Sequence, residues 1–401
     1  MTPAQVLALD PLLIDVDWGV VGIVVLKVVV AFTLLLVSVL FMVWFERKAV
    51  SDLQNRIGPN RAGPFGLFQT IADGLKFFMK EDSIPDRADR RVFVLAPYLA
   101  AVPAFLVFAV VPIGGDFSDG NRGVIRIFGH DTLMQVADPP VGILFVLAMS
   151  GIAVYGIMLA GWSSGSKYPL LGSVRASAQM VSYEAALGLS VAAVVLFSET
   201  LSTNGIVAAQ VPWGWNLWAT GLVPFVIFLI AATAELNRPP FDLVEAEQEL
   251  VGGFNTEYAS FRFALFFLAE FMNVVTMSAI IVTLFLGGPA GPVLVGPGWM
   301  WGTIWFTVKL LGFLFLFVWF RATLPRFRYD QLMVLGWKVL IPLALGWFLL
   351  LAGLKVADGA DWNPIAVVAV AAVGLLAGYG LLASALWAAR RNRELEGEVS
   401  I

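Results

Sequence analysis

Nine apolar segments, each long enough to cross a bilayer as a helix, constrain this chain more than any other feature. A membrane-spanning helix needs about 20 predominantly apolar residues to cross roughly 30 Å of hydrocarbon. The segments cover residues 20–45, 92–113, 139–161, 176–197, 217–234, 262–286, 300–320, 333–354 and 364–389. Composition agrees, since 59% of the residues are hydrophobic and only 13% are charged. The sequence therefore predicts an all-α polytopic membrane protein with about nine transmembrane helices.

Two residue types restrict the chemistry of the chain. Cysteine is absent, and histidine occurs once, at His130. Without thiolates the chain cannot ligate an iron–sulfur cluster, and a single histidine argues against haem or a metal site. We expect no flavin, haem, iron–sulfur cluster or metal on this chain, and no nucleic-acid partner. Any electrons must come from a partner protein.

The distribution of Lys and Arg predicts the orientation. The loops after the first, third, fifth and seventh segments, together with the C-terminal tail, hold nineteen of these residues, whereas the opposite set of connections holds three. Because positive residues accumulate on the cytoplasmic side, the N-terminus is predicted outside and the C-terminus in the cytoplasm. This places the acidic loop at about 235–261 on the cytoplasmic side.

One connection has the pattern of an amphipathic helix. At 100° per residue, the apolar residues of the stretch 66–80 gather on one face, namely Leu67, Phe68, Ile71, Leu75, Phe78 and Met79. Such a helix is expected to lie along the membrane interface. Two interpretations stay open, a simple anchoring helix or a wall of the entrance to a cavity for a lipid-soluble ligand.

Carboxylates inside or beside apolar segments are the strongest functional signal. The segment after the fifth span carries Glu235, Asp242, Glu245, Glu247 and Glu249, and further acids lie within the fourth and sixth spans at Glu184 and Glu270. Acids at membrane depth usually mark proton or ion pathways. A solvated side chain is the alternative for each acid taken singly, and a helix cap is the alternative for Asp242. As a set, they predict proton coupling.

The chain resembles a known family in five blocks. These are residues 46–48, residues 54–64 with Asp73 and 80–81, residues 161–168 with 178–184, residues 234–258 with Glu270, and residues 321–331. In these blocks the chain is similar to the H subunit of bacterial NADH:quinone oxidoreductase, respiratory complex I, the counterpart of mitochondrial NADH dehydrogenase subunit 1. The blocks run through most of the chain.

The resemblance implies a subunit of a proton-translocating oxidoreductase in the bacterial plasma membrane, without redox centres of its own. It would form much of the quinone chamber and its entrance, with Glu46, Arg47, Arg56, Asp73 and Arg321 lining or supporting the passage. Glu184, Glu235, Asp242, Glu245, Glu247, Glu249 and Glu270 would couple quinone reduction to proton pumping. Implied partners are the peripheral-arm flavin and iron–sulfur subunits, the other membrane subunits and the lipid bilayer. The substrate would be menaquinone or ubiquinone.

The sequence also predicts a core with an added C-terminal span, and it leaves two rival functions open. Residues 1–355 correspond to the family's eight-span core, and residues 356–401 form an added ninth span with a charged tail. One rival function is the anchor subunit of a related membrane-bound hydrogenase or ferredoxin-linked complex. The other is an independent ion transporter, against which stands the lack of an internal repeat.

Overall fold

The computed structural model describes residues 10–13, 16–118, 120–244 and 247–360, and at residues 247 and 248 it describes the backbone alone. The predicted ninth span at 364–389 and its tail lie outside the described residues, as does Glu245. The chain divides into two compact units, one ending at Ile341 and one beginning at Pro342. The candidate site lies in the first unit.

Helices account for most of the described chain. They are α1 (Trp18–Leu53), α2 (Gln69–Met79), α3 (Arg90–Phe108), α4 (Gly142–Ser163), α5 (Lys167–Ser198), α6 (Thr203–Ala209), α7 (Asn216–Ala219), α8 (Val223–Glu235), α9 (Glu247–Leu250), α10 (Ser260–Phe285), α11 (Gly298–Thr323), α12 (Tyr329–Val334) and α13 (Ile341–Gly359). A π-helical stretch, Leu335–Leu340, joins α12 to α13. Short 3₁₀ turns occur at Pro11–Leu13, Pro64–Gly66 and Gly253–Asn255. Two antiparallel strands, β1 (Val124–Ile127) and β2 (His130–Leu133), form a hairpin that pairs Val124 with Leu133.

Seven helical stretches in the described part of the chain are long and apolar enough to cross a membrane. They are α1, α3, α4, α5, α10, α11 and the continuous stretch Tyr329–Gly359. Each overlaps one predicted span, so the all-α polytopic membrane class is confirmed. The number of spans in a membrane and their orientation stay predictions.

The fifth predicted span is shorter than expected. Residues 217–234 were expected to form one helix, but α8 begins only at Val223. The backbone at Gly221 and Leu222 is left-handed, with φ of 81° and 63°, which separates α7 from α8. With 13 residues, α8 is about 20 Å long and ends at Glu235, inside the bundle.

Helix α10 forms the centre of the bundle. It contacts α1, α2, α3, α8 and α11, and nearly all of its residues from Phe271 to Phe285 are buried. Around it, α3 packs on α4 and α4 on α5. Gly156 permits the first of these close approaches, because a Cβ there would lie 2.7 Å from the backbone nitrogen of Ala100.

The predicted amphipathic stretch is helical as α2, beginning at Gln69 rather than residue 66. The residues before it turn instead, since Phe65 and Gly66 have positive φ. The Ser260 hydroxyl lies 2.9 and 2.7 Å from the backbone carbonyls of Phe77 and Lys80 and ties the end of α2 to the start of α10. The predicted apolar face is exposed on the chain and therefore available to lipid.

Candidate functional site

Two arginines and two glutamates meet where α1, α10, α11 and the turn after α8 converge. We call Glu46, Arg238, Glu270 and Arg321 the central ion cluster. Arg238 donates to both carboxylate oxygens of Glu46, at 3.3 and 3.2 Å, and its Nε lies 3.0 Å from Oε1 of Glu270. Arg321 forms a second ion pair with Glu46. Glu46 and Arg238 are buried, Glu270 is half-buried and Arg321 is exposed. The formal charges balance, which makes burial of the Glu46–Arg238 pair tolerable.

The turn after α8 positions Arg238. Asn237 adopts a left-handed conformation with φ of 51°, a geometry that asparagine tolerates better than most residues. The buried side-chain amide of Gln179 donates to the backbone carbonyls of Ala234 and Phe241, at 2.7 and 3.0 Å, and so fixes both ends of this turn. The Arg238 side chain is thereby buried in the bundle, with its guanidinium 4.5 Å from the centre of the Phe271 ring.

The central ion cluster lies between two cavities. The inner cavity has a volume of about 90 Å³, and its polar wall includes Glu235, Arg238, Asp242, Glu270, Asn273 and Arg321. The outer cavity has a volume of about 300 Å³ and is lined by Glu46, Arg47, Arg56, Ile57, Pro59 and Arg321, among others. Because Arg321 lines both cavities, a change of ion pairing in the cluster alters the wall between them.

A second ion pair links α2 to α1 beside the outer cavity. Arg47 donates to Asp73 at 2.6 Å, and Gln69 donates to the other carboxylate oxygen at 3.2 Å. Burial acts to raise the pKa of Asp73, but the hydrogen bonds and the charges of Arg47 and Lys76 together lower it below its ordinary value. Asp73 is therefore ionised at neutral pH. The predicted neighbour Arg56 is exposed and bonds to Gln54 at 2.8 Å.

Glu235 on α8 and Glu184 on α5 form an acidic pair. Glu235 ends α8, is buried and lines the inner cavity. Glu184 lies half-buried on α5, and the two carboxylates interact electrostatically. A Cβ built on Gly151 would lie 3.4 Å from Oε1 of Glu184, so α4 passes close to this acid. Both acids were singled out from the sequence.

The rest of the acidic segment is dispersed. Asp242 lines the inner cavity and pairs with Arg326 at 2.9 Å. Glu249 is exposed and pairs with Arg175 at 2.6 Å. The side chain of Glu247 lies outside the described residues. The structure thus brings Glu235, Asp242 and Glu270 to one cavity and leaves Glu249 on the surface.

The loop before α10 is fixed by an aromatic stack. Tyr258 lies parallel to Phe93, with ring centres 4.0 Å apart, and its hydroxyl donates to the Phe93 carbonyl at 3.2 Å. Burial raises the pKa of Tyr258 to about 12, so its hydroxyl stays protonated at physiological pH. This stack sets where α10 begins and hence where Glu270 lies.

Arg238 belongs to the candidate site although the sequence pattern did not single it out. A usable signal was present, because a cation directly after an apolar helix and among carboxylates requires partners when it is buried. Within the described ranges, no three His, Asp or Glu side chains are grouped so as to hold a metal ion.

Comparisons with known proteins show which proteins this chain is similar to. The NADH dehydrogenase family model matches residues 26–352, which include every member of the central ion cluster. The H subunit of the NADH-quinone oxidoreductase of Frankia alni is 51% identical over 381 residues, covering 93% of this chain and 82% of that protein. The corresponding protein of Frankia casuarinae gives the same figures. That of Streptomyces avermitilis is 50% identical over 340 residues, covering 83% of this chain and 73% of that protein.

Proposed function

The chain belongs to the NADH dehydrogenase family, and from that premise we propose that it forms the quinone chamber of a proton-translocating NADH-quinone oxidoreductase. The central ion cluster between the two cavities carries this proposal. It offers fixed cations to a quinone headgroup on one side and carboxylates that accept protons on the other. The proposed enzyme is a complex of the bacterial plasma membrane. This chain is a multi-pass subunit of it and is not catalytic alone.

The outer cavity is the proposed entrance for quinone. It adjoins the end of α1, to which the Arg47–Asp73 pair ties α2. The exposed apolar residues of α2, such as Leu75 and Phe78, face lipid in this proposal and guide an apolar quinone tail. Arg47, Arg56 and Arg321 supply donors for the headgroup oxygens.

Quinone reduction changes the charge next to the cluster. Two electrons and two protons convert a quinone to a quinol. The electrons arrive before protons neutralise the negative charge on the headgroup. A negatively charged headgroup competes with Glu46 and Glu270 for Arg321 and Arg238. A carboxylate that loses its arginine in a low-dielectric site is stabilised by taking up a proton. The cluster thereby converts an electron transfer into a proton uptake.

The remaining acids provide the proposed route for these protons. Glu235 and Asp242 share the inner cavity with Glu270, and Glu184 interacts with Glu235 from α5. A proton route from Glu270 through Glu235 to Glu184 would connect the central ion cluster to the neighbouring membrane subunits. Glu245, Glu247 and Glu249 would supply protons from the cytoplasmic surface.

Electrons must reach the quinone from partner subunits. The chain has no cysteine and a single histidine. Peripheral subunits with flavin and iron–sulfur clusters are therefore the proposed electron donors, and they also supply protons to the headgroup. The proposed substrate is menaquinone or ubiquinone.

Purification of the tagged chain from native membranes in mild detergent tests this function. We expect flavin and iron–sulfur subunits to co-purify and the preparation to reduce a short-chain quinone with NADH in an inhibitor-sensitive reaction. Isolation together with a hydrogenase, or as a lone active protein, would instead support an anchor subunit or an ion transporter.

A further inference from the structure

A third, smaller cavity lies beside the inner cavity and shares lining residues with it. Its volume is about 30 Å³, and its polar wall is formed by Ser150, Glu235, Asn273 and Thr276. Glu235 and Asn273 also line the inner cavity, so they separate the two spaces. The rest of the wall is apolar.

Two polar atoms at this cavity are buried without a protein partner. Within the described part of the chain, neither Oε2 of Glu235 nor Oγ1 of Thr276 has a hydrogen-bond partner. Nearly all buried polar atoms in proteins are hydrogen-bonded, either to protein or to ordered water. A water molecule needs roughly 10–15 Å³ of such space and two to four polar neighbours. The cavity therefore has room for one or two water molecules.

The geometry of α10 closes this cavity beyond Thr276. Asn273, Thr276, Ile280 and Thr283 follow at intervals of three or four residues and so share one face of the helix. Ile280 is buried and apolar, and the hydroxyl of Thr283 donates to the Ala279 carbonyl at 2.8 Å. The polar path thus ends at Thr276 and does not continue along this helix face.

We propose that water occupies this cavity and, held by Thr276, is the hydrogen-bond partner of Oε2 of Glu235, whose carboxyl group also has a hydrogen bond with Ser150. The inference rests on the proton role proposed above for Glu235. The water accepts from the carboxyl group when Glu235 is protonated and donates to it when Glu235 is ionised. A proton gained by Glu235 is one lost by a group on the inner-cavity side, and the water keeps both of its hydrogens. Thr276 is a positioning residue, and the cavity is a closed branch rather than a channel.

Electron microscopy of the purified complex, at a resolution that shows ordered water, tests the proposal. We expect water density within hydrogen-bond distance of Glu235 and Thr276 in the wild type and in Thr276→Ser. The density should be lost in Thr276→Val, which keeps the side-chain shape without the hydroxyl. Thr283→Val is the matched control on the same helix face and should retain it.

Infrared spectroscopy of the same preparations supplies a second readout. The C=O band of the protonated Glu235 carboxyl, identified by its loss in Glu235→Gln, should move to higher frequency in Thr276→Val and return in Thr276→Ser. The quinone-reduction rate should fall about two- to tenfold with the loss of this hydrogen bond. No water density in the wild type, or density unchanged in Thr276→Val, would overturn the proposal. Normal pumping by Glu235→Gln would end the proton role, while water density would still support the water site.

Discussion

Two groups of ion pairs among the described residues differ in whether they border a cavity and in how many ions they contain. The first is the central ion cluster. The second joins Asp10 and Lys27, whose charged groups are 2.7 Å apart. The backbone N–H of Leu12 donates to Oδ1 of Asp10 at 3.1 Å, and the Thr132 hydroxyl lies 3.2 Å from each carboxylate oxygen of Asp10.

The number of ions and their access to a cavity distinguish a pair that stabilises the fold from a cluster that can take part in the proposed function. The Asp10–Lys27 pair contains one anion and one cation, and neither lines the inner or the outer cavity. It pairs one carboxylate with one ammonium group, so we expect it to stabilise the fold. The central ion cluster shares two cations between two carboxylates beside space for a substrate. Such a cluster can change its pairing when a new charge arrives.

The largest predicted effect follows from removing Arg238. Arg238→Met leaves Glu46 and Glu270 short of a buried partner, which costs about 3–5 kcal/mol. NADH-driven reduction of a short-chain quinone should fall by about 100-fold or more per assembled complex. Arg238→Lys keeps the charge but loses the fork geometry and should be intermediate. An assembled Arg238→Met complex with a normal rate would show that the cluster is dispensable.

The Asp10–Lys27 pair should respond in the opposite way. Lys27→Met should destabilise the protein by about 3–5 kcal/mol, because Asp10 stays buried without its cation. The fraction of complex that survives heating, seen on a native gel, measures this loss. Quinone reduction per surviving complex should be unchanged. The double variant Asp10→Asn with Lys27→Met should regain much of the stability, and a slowed rate per surviving complex would remove the contrast between the two clusters.

Glu249 tests whether an exposed acid belongs to the functional cluster. Glu249→Gln should lower quinone reduction by about fivefold at most, since an exposed ion pair is worth about 1 kcal/mol or less. Arg175→Gln is the matched control. If only the ion pair matters, each single variant and the double variant should have the same rate. A much larger loss in Glu249→Gln alone would show that the proposed proton supply depends on this acid more than on Glu245 and Glu247.

Asp73 should give the smallest effect, together with a flat pH profile. Its pKa is lowered, so the ion pair with Arg47 is complete above the ordinary carboxyl value of 3.8 and is lost only as the pH falls below that value. Asp73→Asn should raise the KM for a short-chain quinone by about twofold, equally at pH 6 and pH 8. A wild-type KM that changes between these pH values, with no such change in Asp73→Asn, would contradict this.

The fold was largely predictable because one physical rule dominates it. Apolar segments of membrane length must become helices, since lipid offers no hydrogen bonds to the backbone. One exception among the described helices is α8, whose start depends on positive φ at Gly221 and Leu222. Hydropathy does not register such local dihedral angles.

The candidate site was predictable by residue type but not by pairing. Glu184, Glu235 and Glu270 stand out because acids are costly in apolar segments. The contact between Arg238 and Glu46 joins residues 192 positions apart, and no local pattern reports a contact at such a separation. The exposed position of Glu249 was also hidden, because it depends on how the segment after α8 folds.

The most direct test of the central claim is proton pumping per quinone reduced in membrane vesicles that carry Glu235→Gln. Ferricyanide reduction by NADH measures how much assembled complex each preparation contains. We predict that ferricyanide reduction stays intact while quinone reduction slows and coupled proton uptake is lost. The reason is that Glu235 is buried and lines the inner cavity together with Arg238, Glu270 and Arg321 of the central ion cluster. Full quinone reduction with normal pumping would contradict the account.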